Sequence, residues 1–253
     1  MKLDNTVALV TGANGGLGSH FVEQLLQLRL AKVYVCGRSL SKLKAIVALD
    51  PDRVVPIELD VTDLNSVMSA VSQCTDVNLL INNAGVALNQ GLIAASDLES
   101  ARAEMEVNYF GMLSMCRAFA PILKQQGGGA IVNLVSLLGK VNLPFSGSYS
   151  ASKAATLSMT QGVRAELAAQ GTLVVAVMPG TIDTPMADQW PNPKVAPAEV
   201  ARAALKAVID DQEDVYPGEQ ATQIYAQLLS DPKGVEKYMA GFLPGMVLAG
   251  SNA

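Results

Sequence analysis

The sequence predicts an α/β fold, a single domain built on a doubly wound parallel sheet. Three observations predict it. Short apolar runs of strand length alternate with longer segments of helical character along the chain, the order that yields parallel strands joined by right-handed crossovers. Half of the 253 residues are hydrophobic and only 5% are aromatic, as expected where strands rich in Ala, Val and Leu are covered by helices on both faces. A Gly-rich turn follows the first apolar run and leads straight into a helix, which is what close approach of a backbone to a ligand requires.

The elements follow in order. Thr6 to Val10 reads as the first strand, and Gly16 to Leu28 as the helix after the glycine turn. Lys32 to Cys36 is a second strand with a helix after Ser39; Val54 to Glu58 is a third, followed by helix over Asp63 to Ser72. Val77 to Ile81 is the fourth strand, and a long helix is expected from Leu98 to Lys124. Gly127-Gly128-Gly129 breaks the chain before the fifth strand, Ala130 to Val135. Tyr149 to Ala168 reads as helix, Leu173 to Val177 as the sixth strand, Pro197 to Ile209 as helix, and Val215-Tyr216 as the start of a short last strand. No linker, repeat or low-complexity segment divides the series, so residues 1–253 are read as one domain.

Composition narrows the function. The net charge is -5 with both signs mixed along the chain, and no basic block or Arg-aromatic interleaving suggests nucleic acid as a partner. No apolar run approaches the ~20 residues that cross a bilayer, and the first residues lack the apolar core of a signal peptide, so a cytoplasmic protein without a membrane partner is expected. Cys36, Cys74 and Cys116 are far apart and odd in number, which fits a reducing compartment and shows neither disulfide nor metal spacing. His20 is the only histidine; a histidine triad or histidine-rich metal site is excluded, and His20 is read as a surface or packing residue.

In an open parallel sheet, ligands bind beyond the carboxyl ends of the strands, near the reversal of strand order. The suggestive residues fall at those ends. Thr11-Gly12-Ala13-Asn14-Gly15-Gly16-Leu17-Gly18 opens the first helix, so Gly12, Gly16 and Gly18 let the backbone meet a pyrophosphate while the helix N-terminus supplies N–H donors. The second strand ends in Gly37, Arg38 and Ser39, with no acidic residue for an adenosine ribose. A guanidinium there pairs with a 2′-phosphate through its planar fork and Ser39 adds a hydroxyl, so NADP(H) is expected over NAD(H). Asp60 and Val61, after the third strand, are placed against adenine, although Asp60 reads equally as a helix N-cap. Asn82-Asn83-Ala84-Gly85 closes the fourth strand as a tight wall against a nucleotide.

Ser136 closes the fifth strand, and Tyr149 begins the helix thirteen residues later with Lys153 four residues on. Residues i and i+4 share a helix face. An ammonium beside a phenol, whose reference pKa is near ~10, stabilises the phenolate and lowers that value, giving a pair that exchanges a proton with a substrate oxygen. Ser136 holds that oxygen; without a histidine to activate it, acyl transfer is not expected. Asn108, in Val107-Asn108-Tyr109, is a poor helix-interior residue and so a candidate for a side-chain role. Pro179-Gly180-Thr181-Ile182-Asp183-Thr184 follows the sixth strand, where backbone groups and the Thr184 hydroxyl are placed to bind a carboxamide.

These motifs, in this order over residues 5 to 185, resemble the short-chain dehydrogenase/reductases of about 250 residues. The resemblance implies a Rossmann-type seven-stranded sheet, with residues 1–135 mainly cofactor-binding and 136–253 catalytic. It implies Tyr149 as general acid/base, Lys153 on the nicotinamide ribose and lowering the tyrosine pKa, Ser136 orienting the substrate oxygen and Asn108 holding a water for a proton relay. Gly12, Asn14, Gly16, Leu17 and Gly18 are implied at the pyrophosphate, Asn82, Ala84 and Gly85 on the adenosine side, and Pro179, Gly180, Ile182 and Thr184 at the carboxamide. It further implies a homodimer or homotetramer acting on a small-molecule carbonyl or alcohol.

The substrate end departs from the family pattern. Only Pro185 to Ala196, with Pro185, Pro191 and Pro193, separates Thr184 from the next helix; so short a loop predicts an open pocket for bulky ketones and alcohols. Trp190 lies in it, placed either to pack on substrate or to anchor the loop. The apolar segment Gly241 to Leu248 is expected to cover the pocket or a subunit surface. An enzyme specific for a sugar, steroid or acyl-thioester, or a non-catalytic NADP-binding regulatory protein, are the competing readings.

Overall fold

The computed structural model describes residues 1–188, 190 and 193–244. Seven strands form one parallel sheet in the order β3-β2-β1-β4-β5-β6-β7. They are β1 (Val7–Thr11), β2 (Lys32–Gly37), β3 (Val54–Glu58), β4 (Leu79–Asn82), β5 (Ala130–Leu134), β6 (Leu173–Val177) and β7 (Asp214–Val215). The expected Rossmann-type doubly wound sheet is therefore present, and strand order reverses between β1 and β4.

Helices cover both faces. One apolar layer gathers Phe21, Val22 and Leu25 of α1 (Gly16–Gln27) and Ala204, Leu205 and Val208 of α7 (Pro197–Asp210) against Val10, Val35 and Ile81. The other packs Val67 of α3 (Leu64–Gln73) and Met115, Phe119 and Leu123 of α5 (Met112–Gln125) against Leu9, Leu80 and Ile131. Each of the larger side chains among these contributes about 1.5–3 kcal/mol on burial. Because alternate strand residues feed opposite layers, nearly every position of β1, β4 and β5 is buried, which is why these strands read as continuous apolar runs.

Three local departures from the sequence expectation have physical causes. The segment after Ser39 is a 3₁₀ turn over Leu40–Leu43 followed by the single turn α2 (Lys44–Val47). Asp63, not Asp60, caps α3, accepting from the Asn65 N–H at 2.9 Å. The long helix is α4 (Glu99–Met105), a π-type stretch over Glu106–Gly111, and then α5. That widening surrounds Asn108, whose carbonyl oxygen accepts a second bond from Thr156 Oγ1 at 3.0 Å. After α5, Gly127, Gly128 and Gly129 all take positive φ (85°, 118° and 76°), and a side chain at Gly129 would collide with the Asn78 carbonyl. No other residue type turns the chain there without strain.

Candidate active site

A cavity of about 920 Å3 opens over the carboxyl ends of β1, β2, β4, β5 and β6, where the strand order reverses. Thr11 joins the two central strands. Its hydroxyl accepts the N–H groups of Asn83 and Ala84 at 2.9 and 3.0 Å. The Asn83 side-chain amide donates to the carbonyls of Thr11 and Gly12 at 2.9 and 3.1 Å. The glycine turn is thereby locked to the end of β4. Gly12 has φ 63°, and a side chain on Gly16 would strike the Thr184 methyl. These two glycines keep open a groove at the start of α1, lined also by Asn14 and Leu17. Such a groove, facing a helix N-terminus, fits a dinucleotide pyrophosphate.

Most of the expected cofactor residues line this cavity: Gly12, Asn14, Gly16, Leu17, Arg38, Asp60, Val61, Ala84, Gly85, Pro179, Gly180, Ile182 and Thr184. Arg38 is exposed at its edge. The Asp60 carboxyl is held below its usual range, first by the Thr62 hydroxyl and N–H and to a lesser degree by the charge of Arg38.

Three placements differ from expectation. Asn82 turns into the protein, donating to Asn133 Oδ1 at 2.9 Å, and Asn83 takes its place facing the cavity. The strand runs one residue further than its apolar run, and side chains alternate faces along a strand. Gly18 lies outside the cavity lining; it permits close packing, since a side chain there would collide with the Gly12 carbonyl. Ser39 lies outside it as well, its hydroxyl paired with Ser41 at 2.8 Å.

The reacting end gathers Ser136, Tyr149 and Lys153. Ser136 leaves β5 in extended conformation, and its hydroxyl accepts the Leu138 N–H at 3.1 Å. Ser136 and Tyr149 both line the cavity, and the serine hydroxyl acts to lower the Tyr149 phenol. Tyr149 and Lys153 stand one turn apart on α6 (Gly147–Leu167). The Lys153 ammonium donates to the Leu134 carbonyl at 2.8 Å and lies 5.6 Å from the Tyr149 ring centroid. Burial pushes the Tyr149 phenol up to about 12, partly offset by Ser136 and reinforced by Glu104. Burial brings the Lys153 amine down to about 8. The expected lowering of the phenol by its lysine neighbour is thus not what this geometry gives: with the ammonium turned to Leu134, burial decides both values.

Asn108 stands behind this cluster, fully buried and outside the cavity lining. Its Oδ1 accepts the Val86 N–H, and its Nδ2 donates to the Val86 carbonyl and to Ser152 Oγ, each at 2.9 Å. A side chain on Gly85 would fill the space between Asn108 Oδ1 and Lys153 Nζ. Glu104, one turn earlier on the same face, is also fully buried, and its Oε1 accepts the Leu88 N–H at 2.7 Å.

The substrate half is closed by segments the sequence left open. Ile182 pairs with Val195, which brings the two ends of the intervening segment together. Trp190 both lines the cavity and packs edge-on against Phe145, centroids 4.6 Å apart. Phe145 N–H donates to the Phe242 carbonyl at 3.0 Å. Ile224 of α8 (Glu219–Ser230), Met239 of α9 (Pro232–Met239) and Phe242 add an apolar wall. The cover that the short loop lacks therefore comes from the C-terminal segment, so the cavity is less open on this side than that loop predicts. Pro191 and the stretch Gly245 to Leu248 lie outside the described residues.

A nucleotide groove and a phenol-hydroxyl pair sharing one cavity define a class that comparison with known proteins makes definite. The chain belongs to the short chain dehydrogenase family of oxidoreductases, whose profile matches residues 6–194. It is 33% identical to an uncharacterized oxidoreductase of Staphylococcus saprophyticus over 82% of this chain and 93% of that protein. It is 32% identical to a ketoacyl reductase of Nostoc over 81% of this chain and 76% of the relative. A short chain dehydrogenase from Burkholderia cenocepacia, solved in complex with NADP, superposes with a TM-score of 0.90 at 46% identity, covering 94% of this chain and 99% of the other.

Proposed function

We propose that the protein is an NADP-dependent carbonyl reductase or alcohol dehydrogenase acting on bulky, uncharged ketones and secondary alcohols. The observation that carries this reading is the shared cavity: the Ser136-Tyr149 pair stands in the same space as the glycine groove and Arg38. The NADP complex of the Burkholderia relative supports the cofactor, as does Arg38 where an acidic ribose ligand would otherwise stand.

When bound, the cofactor supplies or accepts the hydride. The glycine groove, Arg38 and the 179–184 segment hold it. The chain handles the oxygen and its proton. Ser136 donates to the substrate carbonyl and fixes it against Tyr149. Tyr149, protonated at neutral pH because burial raises its pKa, gives its proton to that oxygen as negative charge develops there. Lys153, with an amine brought down to about 8, is poised to restore that proton. Asn108 positions this machinery by fixing Val86, next to Gly85, to α6 through Ser152.

Among the described residues, Arg38, Asp60 and Lys153 are the charged ones lining the cavity, and none of the three belongs to the substrate half. Lys194, in the loop above it, pairs with Asp183 at 3.5 Å. An uncharged apolar substrate suits such a wall better than a carrier-bound acyl group. NADPH oxidation measured with ketones of graded size tests the reading: turnover of aryl ketones is expected, and activity confined to a sugar, a steroid or an acyl-thioester would replace it.

A further inference from the structure

Resting on that reading, we propose that Asn89 and Ser146 form a second polar contact in the substrate half, which binds a hydrogen-bond acceptor carried by the substrate near its reacting carbonyl. Both residues line the cavity. Ser146 Oγ donates to Asn89 Oδ1 at 2.8 Å. That bond leaves the two N–H donors of the Asn89 amide, which meet no acceptor among the described residues. Ser146 precedes Tyr149 by three residues at the start of α6, about one helical turn, which places their Cβ atoms roughly 5–6 Å apart.

The backbone holds this contact in place. Asn89 has φ 54°, a left-handed conformation that Asn tolerates better than most residues. The loop is pinned on each side of it. Asn108 holds Val86, the buried carboxyl of Glu104 holds the Leu88 N–H, and the Gln90 carbonyl accepts the N–H groups of Gly147 and Ser148 at 3.0 and 3.4 Å. A polar side chain so fixed amid apolar walls serves orientation and specificity. The substrate class it fits is an apolar ketone with a second carbonyl or ester oxygen a few bonds from the reacting carbon, such as a β-keto ester.

The test compares ethyl benzoylacetate with butyrophenone in the wild type, Asn89→Gly and Asn89→Asp. Glycine keeps the left-handed backbone and removes the side chain; aspartate keeps the acceptor for Ser146 and removes the donors. The readout is the ratio of kcat/KM values, because the keto ester is intrinsically the more reactive. Both variants are expected to lower the ester-to-ketone ratio by about tenfold, through KM for the ester, as when a site built to bond a polar group loses its partner. An unchanged ratio, or an equal fall in kcat for both ketones, would overturn the proposal. Failure of the wild type to oxidise NADPH with either ketone would instead overturn the reading on which it rests.

Discussion

The Lys153 ammonium donates to the backbone carbonyl of Leu134 at 2.8 Å, which fixes the lysine to the end of β5 and so to the strand that delivers Ser136. The three groups that define the reacting end are thus held by one strand end and one helix. The spacing of Lys153 and Tyr149 places the amine near the ring, but the Leu134 bond sets its direction. Burial then pushes the phenol up to about 12 and brings the amine down to about 8.

A pH dependence follows with a definite sign. Tyr149, pushed up to about 12, stays protonated through neutrality, as its proposed role as acid in reduction requires. kcat/KM for ketone reduction is expected to be flat between about pH 6 and 7.5 and to fall as pH rises through the Lys153 value near 8. Alcohol oxidation needs the phenolate and is expected to rise with pH, by up to about tenfold per unit. Stopped assays in both directions across this range check it; oxidation that falls with rising pH would contradict the assignment.

Arg38 is the residue proposed to select the cofactor. Removing a guanidinium that pairs with a phosphate costs about 1.5–3 kcal/mol. Arg38→Ala is expected to raise KM for NADPH about 10- to 100-fold and to change KM for NADH little. Initial rates with both cofactors measure this, and an equal effect on the two would remove Arg38 from the site.

Asn108 is a tie between α4-α5, the loop after β4 and α6. Its loss leaves the Val86 N–H and carbonyl without their partner, at about 1–3 kcal/mol for such buried groups. Asn108→Ala is expected to lower the Tm by several degrees and to reduce kcat more than it raises KM for NADPH. Thermal unfolding and steady-state kinetics on one preparation decide this.

Phe242 is the part of the C-terminal segment whose carbonyl meets Phe145 and whose side chain walls the cavity. Losing an aromatic contact of this kind costs about 1.5–3 kcal/mol of apolar burial. Phe242→Ala is expected to raise KM for aryl ketones about tenfold while leaving KM for NADPH near its starting value. A substrate-size series in this variant gives the answer.

The fold and the positions of the candidate site residues were legible because their signals are local. Strand-length apolar runs gave all seven strands, and the residues immediately after them gave Gly12, Arg38, Asp60, Ser136 and Pro179. Tyr149 and Lys153 needed only helical spacing. The exchange of Asn82 for Asn83 came from one residue of strand length, which is enough to move a side chain to the opposite face. Thr11 stood beside the glycine turn, yet its bond to the end of β4 spans about seventy residues and has no local pattern. Asn89, Glu104 and Ser146 were missed for the same reason, since nothing in their neighbours' composition marks which distant loop they will meet. The π-type turn at Asn108 is likewise set by Thr156 and Ser152 across the helix pair. The substrate wall depends on α8, α9 and Phe242, which follow the part of the chain that the family profile matches.

Tyr149 is proposed to transfer the proton, while the glycine groove, Arg38 and the 179–184 segment are proposed to hold the cofactor. Tyr149→Phe keeps the ring and removes only the hydroxyl, so it separates the two roles. Binding of NADPH by this variant, followed by fluorescence titration, is expected to stay within about threefold of the wild type, while NADPH oxidation with an aryl ketone falls by about 10²–10⁴, the range of general acid catalysis. Near-normal turnover in Tyr149→Phe would contradict a proton-transfer role for this hydroxyl.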